Sequence, residues 1–273
     1  MKNLTNKVAV ITGAGSGIGR ALALQLAGRG CRLAISDVNA AGLAQTLTLI
    51  KAAHPVEVRT YTLDVADEQQ VIAHAAQVLA DFGQVNLLIN NAGVALSGKI
   101  RDLDMQDFHW LMNINFWGVV HGTQAFLPAL IASGDAHIVN LSSIFGMISV
   151  PKQATYNAAK FAVRGYTEAL RQEMRMEHLP VQVSCVHPGG IATEIARNAR
   201  VCAGEDKVRT AQLFDKLAHT SADQAAEIIV RGILKNKPRI MVGLDAHVVH
   251  FLYRLLGVRY QFITRMLAAR MGY

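Results

Sequence analysis

The sequence has few cysteines and no long apolar run, and each shortage excludes a class of protein. Cys31, Cys185 and Cys202 are an odd number of cysteines at wide spacing, which fits neither a disulfide framework nor a C-x-x-C metal site. We therefore expect reduced thiols and a cytoplasmic location. Polar residues break the apolar window from 240 to 256, which is shorter than the ~20 apolar residues that cross a bilayer, so no membrane span is predicted.

Charged residues are also scarce, at 17% of the chain, whereas 51% of the 273 residues are hydrophobic. A chain of this length and composition buries a large core, which excludes intrinsic disorder. The net charge of +7 favours anionic partners in general, but the basic residues are scattered and lack interleaved aromatics, so no nucleic-acid binding is expected. The histidines lack a carboxylate or cysteine that would complete a ligand set, so no metal site is expected.

Between residues 7 and about 190, short β-branched runs alternate with longer helical stretches, a pattern typical of βαβ units around a parallel sheet. Seven strands are predicted: Val8–Thr12, Arg32–Asp37, Glu57–Asp64, Val85–Asn90, His137–Ser142, Val181–His187 and Arg239–Val242. The intervening helices are predicted at 18–29, 39–53, 67–82, 104–132, 154–177 and 222–235. Several strands are almost continuously apolar, which indicates a doubly wound α/β sheet with helices on both faces.

No linker rich in proline, glycine or serine divides the chain and no repeat is visible, so one domain is predicted. Residues 1–243 would form the dinucleotide-binding and catalytic domain and 244–273 a C-terminal helical extension of it. The segment from Thr193 to Ala218 is predicted to be a mobile lid or a surface helix. Apolar residues line one side of each of two helices in the extension: Val248, Val249, Leu252, Leu255 and Leu256, then Ile263, Met266 and Leu267. They could form a wall of the substrate cavity, an oligomer contact or a membrane-surface helix; packing within the protein or its oligomer is favoured.

A glycine-rich turn, Thr12 to Gly19, joins the first strand to a helix. It follows the pattern T-G-x-x-x-G-x-G rather than G-x-G-x-x-G. Glycines let the backbone approach a pyrophosphate, and the free N–H groups and positive dipole end of the helix attract it. A tight connection without a ligand would need the same glycines, but the strand and helix on either side favour a dinucleotide site.

Asp37 ends the second strand, where a carboxylate can accept hydrogen bonds from the adenosine ribose. A 2′-phosphate there would meet a like charge, so NAD is predicted over NADP. Asp37 could instead cap the next helix, and Asp64, at the end of the third strand, could touch the adenine or cap a turn.

Tyr156 and Lys160 are four residues apart on a predicted helix and therefore share a face. Lowering a tyrosine pKa from about 10 to about 7 takes ~4 kcal/mol, and an ammonium about 4 Å away supplies a similar amount. We therefore expect Lys160 to lower the pKa of Tyr156. Ser143 lies 13 residues before Tyr156 at a strand end, where its hydroxyl could hold a substrate oxygen; adjacent Ser142 competes for that role.

Together these motifs resemble the classical short-chain dehydrogenase/reductase family over about residues 7 to 243. The motifs stand in the family's order: Thr12 to Gly19, Asn90-Asn91-Ala92-Gly93, Asn115, Ser143, Tyr156 with Lys160, and Pro188-Gly189 followed by Thr193. The resemblance implies a Rossmann-like fold. It also selects Ser143 over Ser142, and Asn115 over Asn113, which spacing alone does not choose.

The resemblance implies a role for each residue of the site. Tyr156 would be the general acid/base, Ser143 would orient the carbonyl, Lys160 would hold the nicotinamide ribose and lower the pKa of Tyr156, and Asn115 would support a water relay. The implied cofactor-binding set, with Tyr156 and Lys160, is Gly13, Ser16, Gly17, Ile18, Gly19, Asp37, Asp64, Val65, Asn91, Ala92, Gly93, Pro188, Gly189, Ile191 and Thr193.

The implied reaction is reversible hydride transfer between a nicotinamide cofactor and a secondary alcohol or ketone. Apolar residues after Ser143, namely Ile144, Phe145, Met147 and Ile148, favour an apolar substrate. The family also implies a homodimer or homotetramer built on the helices at 104–132 and 154–177. Two alternatives remain: an NADPH-dependent ketoacyl-type reductase, and a dinucleotide-sensing protein without catalysis.

Overall fold

A computed structural model describes residues 1–270. Its strands are β1 (Val8–Thr12), β2 (Arg32–Asp37), β3 (Val58–Thr62), β4 (Leu87–Asn90), β5 (Leu96–Ser97), β6 (Ala136–Leu141), β7 (Val181–Pro188), β8 (Ile191–Ala192), β9 (Arg200–Val201), β10 (Thr220–Ser221) and β11 (Arg239–Val242). Its α-helices are α1 (Gly17–Ala27), α2 (Ala40–Ala53), α3 (Glu68–Phe82), α4 (Met105–Met112), α5 (Gly118–Ala132), α6 (Ala154–Met176), α7 (Lys207–Leu217), α8 (Ala222–Leu234), α9 (Leu244–Leu256) and α10 (Tyr260–Arg270). Among these helices, none is both long and apolar enough to cross a bilayer.

Seven parallel strands form the central sheet in the order β11-β7-β6-β4-β1-β2-β3. Side chains of the central strands alternate between two cores: Ala9 and Ile11 of β1 pack with α1, α2 and α8, whereas Val8 and Val10 pack with α3, α5 and α6. The predicted seven-stranded, doubly wound Rossmann-like sheet is therefore confirmed. Because both faces are covered, the strands at its centre are almost continuously apolar, as the sequence indicated.

The structure differs from the predicted elements mainly in the third strand, in the helix over 104–132 and in short strands that were not predicted. The third strand is shorter than Glu57–Asp64, because β3 lies at the edge of the sheet and has a neighbour on one side only. The single helix predicted over 104–132 is α4, a π-helical turn at Asn113–Trp117, and α5. Strands β5 and β9 pair in parallel, as do β8 and β10, and these two ladders are separate from the central sheet. Each of these strands is two residues long and gave no periodic signal.

The strand order reverses direction between β1 and β4, which opens a crevice at the carboxyl ends of these strands. Buried amides fix the strands that border it. Asn90 Nδ2 on β4 donates to Asn140 Oδ1 on β6 at 2.9 Å, and Asn140 Nδ2 donates to Thr167 Oγ1 on α6 at 3.1 Å. This chain of hydrogen bonds holds α6 against the sheet and so sets the height of its amino-terminal residues over the crevice.

Burial of His74, a residue of α3, makes the stability of the protein depend on pH. Its ring lies edge-on to Tyr61 and Phe126, with centroids 4.7 and 5.7 Å away, and burial lowers its pKa from 6.5 to about 4. The folded state therefore binds the proton less well than the unfolded state. Its contribution to stability is complete above pH 6.5 and is lost as the pH falls from 6.5 towards 4.

We expect His74→Phe, which keeps a ring of similar shape, to remove this loss. The slope of the free energy of unfolding against pH between 6.5 and 4 should fall by up to about 1.4 kcal/mol per pH unit relative to the parent. Urea unfolding at a series of pH values measures the slope. Equal slopes for the parent and His74→Phe would contradict the prediction.

Candidate active site

The turn between β1 and α1 requires glycine at several positions. Gly13 and Gly17 have φ angles of +67° and +50°, which L side chains rarely adopt. A Cβ on Gly19 would collide with the Gly13 carbonyl oxygen, so the turn can close only around a residue without a side chain. The result is a cradle of exposed backbone at the carboxyl end of β1.

The amino terminus of α1 faces this cradle. Ser16 is the N-cap residue but its side chain accepts no capping hydrogen bond, and no acidic residue lies in the first turn of α1. The N–H groups of the first turn, which include those of Gly17, Ile18 and Gly19, therefore have no side-chain acceptor in the described chain. An anion such as a diphosphate fits this end of the helix, because it would accept from those donors and meet the positive end of the dipole.

Residues of the predicted Asn91–Gly93 segment brace the cradle from beneath. Thr12 Oγ1 accepts from the backbone N–H groups of Asn91 and Ala92 at 3.0 and 3.1 Å. In return, Asn91 Nδ2 donates to the carbonyl oxygens of Thr12 and Gly13 at 2.9 and 3.1 Å. The first and fourth strands are thus joined at the point where the glycine turn begins.

The Asp37 carboxylate stands beside the glycine turn. It accepts from the N–H of Gly15 through Oδ2 and from the N–H of Asn39 through Oδ1, both at 2.8 Å. The capping alternative describes the structure only in part, because the N-cap of α2 is Asn39, whose own side chain accepts from Gly42. Each Asp37 oxygen keeps a lone pair for a further donor.

Two arginines lie near Asp37 in the sequence, and the structure gives both of them other partners. Arg20 donates to the carbonyl oxygens of Gly15 and Gly42 and to Thr46 Oγ1, and so ties α2 to the glycine turn. Arg32 pairs with Glu57 at 2.7 Å. Both guanidinium groups are therefore occupied by acceptors within the protein.

Asp64 and Val65 follow β3 on the other side of the cradle. Asp64 is exposed and its Oδ1 accepts from the N–H of Ala66 at 2.9 Å, so the turn-capping alternative describes its contact. Val65 is buried and packs against Gly118, the first residue of α5.

Ser143 and Ser142 separate at the end of β6. Ser142 Oγ donates to the Lys160 carbonyl oxygen at 2.8 Å, which turns it towards α6. The Ser143 hydroxyl accepts from the N–H of Phe145 at 3.1 Å and hydrogen-bonds the Tyr156 phenol. His187 on β7 donates through Nδ1 to the Ser143 carbonyl oxygen at 3.0 Å. Geometry therefore brings Ser143, and not Ser142, to Tyr156.

The pKa of Tyr156 differs from the expectation drawn from the sequence. Burial raises it from 10 to about 12, with an opposing contribution from the hydrogen bond to Ser143. Lys160 Nζ donates to the Leu141 carbonyl oxygen at 2.9 Å and lies 5.5 Å from the centre of the Tyr156 ring. The ammonium thus sits over the ring rather than at the hydroxyl, and burial lowers its own pKa to about 8. Desolvation, which the sequence argument omitted, dominates both groups here.

Asn115 lies in the π-helical turn between α4 and α5 and is fully buried. Its side chain accepts from the Val94 N–H at 2.8 Å and donates to the Val94 carbonyl oxygen at 2.9 Å. A Cβ on Gly93 would lie 3.3 Å from Asn115 Oδ1 and 3.7 Å from Lys160 Nζ. The side chains of Asn115 and Lys160 therefore both lie next to Gly93. Among the described residues, no hydrogen bond joins these two side chains directly. Such π-turns are frequent at functional sites.

The segment after β7 closes the crevice opposite the glycine turn. Pro188 is the last residue of β7, and Ile191 pairs with Thr220 in the short ladder of β8 with β10. Thr193 reaches the cradle, since a Cβ on Gly17 would lie 3.2 Å from its methyl group. The predicted residues from both ends of the sequence thus converge on one crevice.

Asp245, in the first turn of α9, is a site residue that sequence reasoning missed. Its Oδ2 accepts from the N–H of Gly190 at 2.6 Å, and a Cβ on Gly189 would collide with the carboxylate. The sequence identified Asp245 only as a break in an apolar window. Its partner is 55 residues away, and no local pattern signals so distant a contact.

The predicted lid or surface helix contains α7, a helix without fully buried residues. The carbonyl oxygen of its last residue, Leu217, lies against Gly190, and a Cβ on Gly190 would collide with that oxygen. Earlier in the same segment, Glu205 forms an ion pair of 2.8 Å with Lys152. This pair attaches the segment to the residues before α6. A surface helix is therefore present, and it borders the crevice.

Comparison with known proteins gives consistent matches. A family model described as short chain dehydrogenase matches residues 7–202. Over 270 residues the chain is 53% identical to the Mycobacterium tuberculosis protein named "Putative oxidoreductase SadH", and the match covers 98% of this chain and 96% of that protein.

Solved structures share the fold. A short chain dehydrogenase/reductase from Burkholderia phymatum in complex with NAD superposes with a TM-score of 0.86 at 32% identity, over 93% of this chain and 96% of that one. An alcohol dehydrogenase from the archaeon Thermococcus sibiricus, complexed with 5-hydroxy-NADP, gives a TM-score of 0.74 at 27% identity, over 86% and 95% of the two chains.

We expect Asp245→Ala to weaken NAD binding about fivefold to tenfold, because the Gly190 N–H would lose a charge-assisted hydrogen bond and the loop its position. Asp245→Asn keeps a carbonyl acceptor and should bind NAD within about twofold of the parent. Titration followed by protein fluorescence measures the affinity. Asp223→Ala, which changes an exposed aspartate in the first turn of α8, serves as the control. Equal affinities for both Asp245 variants would contradict a positioning role.

Proposed function

The chain belongs to the short-chain dehydrogenase family, and we propose that it transfers hydride between NAD and an apolar secondary alcohol or ketone. The observation that carries this proposal is the meeting of two features at one crevice. A glycine cradle with open backbone donors stands at one side, and the hydrogen-bonded pair of Ser143 and Tyr156, backed by Lys160, stands at the other. A protein that only sensed a dinucleotide would need the first feature and not the second.

The glycine cradle fits the diphosphate of the cofactor, and the residues around the cradle fit its adenosine and nicotinamide parts. Gly13 and the first turn of α1 would hold the diphosphate, and Asp37 would accept hydrogen bonds from the adenosine ribose. Asp64 and Val65 would border the adenine. On the other side, Pro188, Ile191 and Thr193 would enclose the nicotinamide, with the Thr193 hydroxyl on its carboxamide.

NAD is favoured over NADP by the charges that surround the ribose position. Asp37 would face a 2′-phosphate with a like charge, which costs several kcal/mol. The nearby Arg20 and Arg32 are held by protein acceptors. Val38, which directly follows Asp37, is 70% exposed and offers no cation.

When bound, the nicotinamide ring supplies the carbon that exchanges a hydride with the substrate. Ser143 would donate its hydroxyl hydrogen to the substrate oxygen and so orient it. Tyr156 would exchange a proton with the same oxygen: in ketone reduction the neutral phenol donates from Oη, and in alcohol oxidation its oxygen accepts. Because burial keeps the pKa of Tyr156 near 12, the phenol is protonated at neutral pH and ready to act as the acid.

Lys160 would hold the cofactor and supply positive charge beside Tyr156. Its ammonium has three hydrogens, and the Leu141 carbonyl takes one of them. The other two remain for ribose hydroxyls on the open side of the crevice. Asn115, which lies close to Lys160 beside Gly93, would support a water relay that continues the proton path from Lys160.

Apolar side chains around Tyr156 support an apolar substrate. The Phe145 ring lies edge-on to the Tyr156 ring at 6.2 Å. On the other side, Tyr156 packs against a small cluster that includes Leu96, Leu111 and Cys202. An NADPH-dependent ketoacyl-type reductase and a non-catalytic sensor are the alternatives. A panel of alcohols and ketones with both cofactors, followed at 340 nm, separates the three, because only the sensor binds NAD without turnover.

A homodimer or homotetramer built on α4, α5 and α6 is also proposed. These helices and the π-helical turn between α4 and α5 expose large apolar side chains, including Met105, Trp117 and Phe161. Burial of such residues against a second copy is favourable, and light scattering measures the resulting mass.

We expect Tyr156→Phe to lower kcat by about 10²-fold to 10⁴-fold, because the variant has no proton to exchange with the substrate oxygen. Its affinity for NAD should change by less than about twofold. Steady-state kinetics and a binding titration measure the two quantities. Tyr166→Phe, on the same helix ten residues later, should retain activity; a Tyr156→Phe enzyme as active as this control would refute the proposal.

Replacing Asp37 should relax the choice of cofactor. Asp37→Asn keeps an acceptor for the Gly15 N–H but removes the charge, and Val38→Arg adds a cation beside it. We expect the double variant to lower the ratio of kcat/KM for NAD to that for NADP by at least about 100-fold. Val38→Arg alone retains the carboxylate and should change the ratio less. A parent enzyme that already prefers NADP would overturn the assignment.

A further inference from the structure

The outer side of α9 and of the turn and helix after it exposes a continuous row of large apolar side chains. Along α9 these are Leu244, Val248, Phe251 and Leu255, at spacings of four, three and four residues, which place them on one helix face. The row continues with Val258 and Phe262. Phe251, Leu255, Val258 and Phe262 are each between 63% and 77% exposed. These six residues are the C-terminal apolar face.

The opposite side of the same helices is fixed to the protein. Ala246 is fully buried, and the Tyr253 and Tyr260 rings pack edge-on with their centroids 6.1 Å apart. Tyr260 Oη accepts from the N–H of Ser149 at 2.9 Å. The apolar face is therefore presented outwards by a docked helix pair, which reverses the usual arrangement in which the apolar stripe of a surface helix faces the core.

After Asp245, the charged side chains of the helices that carry the C-terminal apolar face are all arginines. Arg254, Arg259 and Arg265 are exposed, and none of them has a carboxylate within salt-bridge distance among residues 1–270. The sequence from 246 to 273 contains four arginines and no aspartate or glutamate. A partner that covers this face must therefore accept both apolar insertion and a dense positive charge.

We propose that the C-terminal apolar face binds the surface of a bilayer that contains anionic lipid. Phe251, Leu255, Val258 and Phe262 would insert at the level of the acyl-chain boundary, and the three arginines would lie among the headgroups. A second copy of the chain is a poorer occupant. A twofold contact would set this face against itself and bring arginines together without any acidic partner.

Membrane attachment at this face would bring lipid close to the substrate-binding side of the crevice. Ser149, which Tyr260 holds, follows directly after Ile144 to Ile148, the segment beside Tyr156. The binding proposal itself does not depend on catalysis, since lipid association is measured without substrate.

Vesicle flotation tests the proposal. The full-length protein is mixed with vesicles of phosphatidylcholine containing about one third phosphatidylglycerol, and separately with vesicles of pure phosphatidylcholine. We expect binding to the first, much weaker binding to the second, and a decrease in binding as salt is raised. Failure to bind the anionic vesicles at low salt would overturn the proposal.

Two variants separate the apolar and charged contributions. Phe251→Ser with Leu255→Ser should weaken binding to anionic vesicles more than about tenfold, because two large side chains no longer insert. Reversal of the three arginines to glutamate should abolish the preference for anionic over neutral vesicles. Both changes are at exposed positions, and activity without lipid should stay at the parent level.

Met176→Ser with Lys51→Glu, two exposed changes elsewhere, is the matched control and should bind vesicles like the parent. Light scattering of each variant distinguishes the lipid proposal from the second-copy alternative. If the Phe251 and Leu255 changes reduce the mass of the assembly and leave vesicle binding intact, the face is an oligomer contact and the lipid proposal is wrong.

Discussion

The glycine cradle depends on reciprocal hydrogen bonds between Thr12 and Asn91. A turn with two positive φ angles has unpaired backbone groups and little reason to hold one shape by itself. Thr12 takes up two N–H groups of the Asn91 segment, and the Asn91 amide takes up two carbonyl oxygens of the turn. Since these carbonyls point into the protein, the N–H groups at the start of α1 are left to face the crevice. The open N–H groups at the start of α1 therefore depend on hydrogen bonds made on the opposite side of the turn.

Burial and hydrogen bonding compete at Tyr156 and Lys160. Tyr156 is partly buried and Lys160 almost fully buried, which disfavours the charged form of each and moves their pKa values in opposite directions. Ser143 offsets part of this for the phenol. The arrangement keeps the pair close to a state in which the phenol carries its proton, while the Leu141 carbonyl keeps the ammonium in place. Desolvation here readies an acid, and the approach of further charge would be needed to make a base.

Much of the fold was predictable from the sequence because the strands at the centre of the sheet are apolar on both faces. The glycine turn and the Tyr156–Lys160 spacing were local patterns and could be read directly. The π-turn at Asn115 was not predictable, because Asn115 pairs with the backbone of Val94, 21 residues earlier, and no local pattern signals that contact. Asp245 was missed for a similar reason, since its partner Gly190 belongs to a distant loop. The pKa of Tyr156 was misjudged because a sequence shows which charges are near and not how little water surrounds them.

The contact between Asp245 and Gly190 ties the last helices to the loop that follows β7 at the edge of the crevice. A fragment ending at residue 243, where the sheet is complete, would retain every strand but leave that loop without its acceptor. The helical extension is thus not a detachable appendage, and chains shortened for expression should keep at least the first turns of α9. For the same reason a tag is better placed at the amino terminus, at the far end of β1 from the crevice.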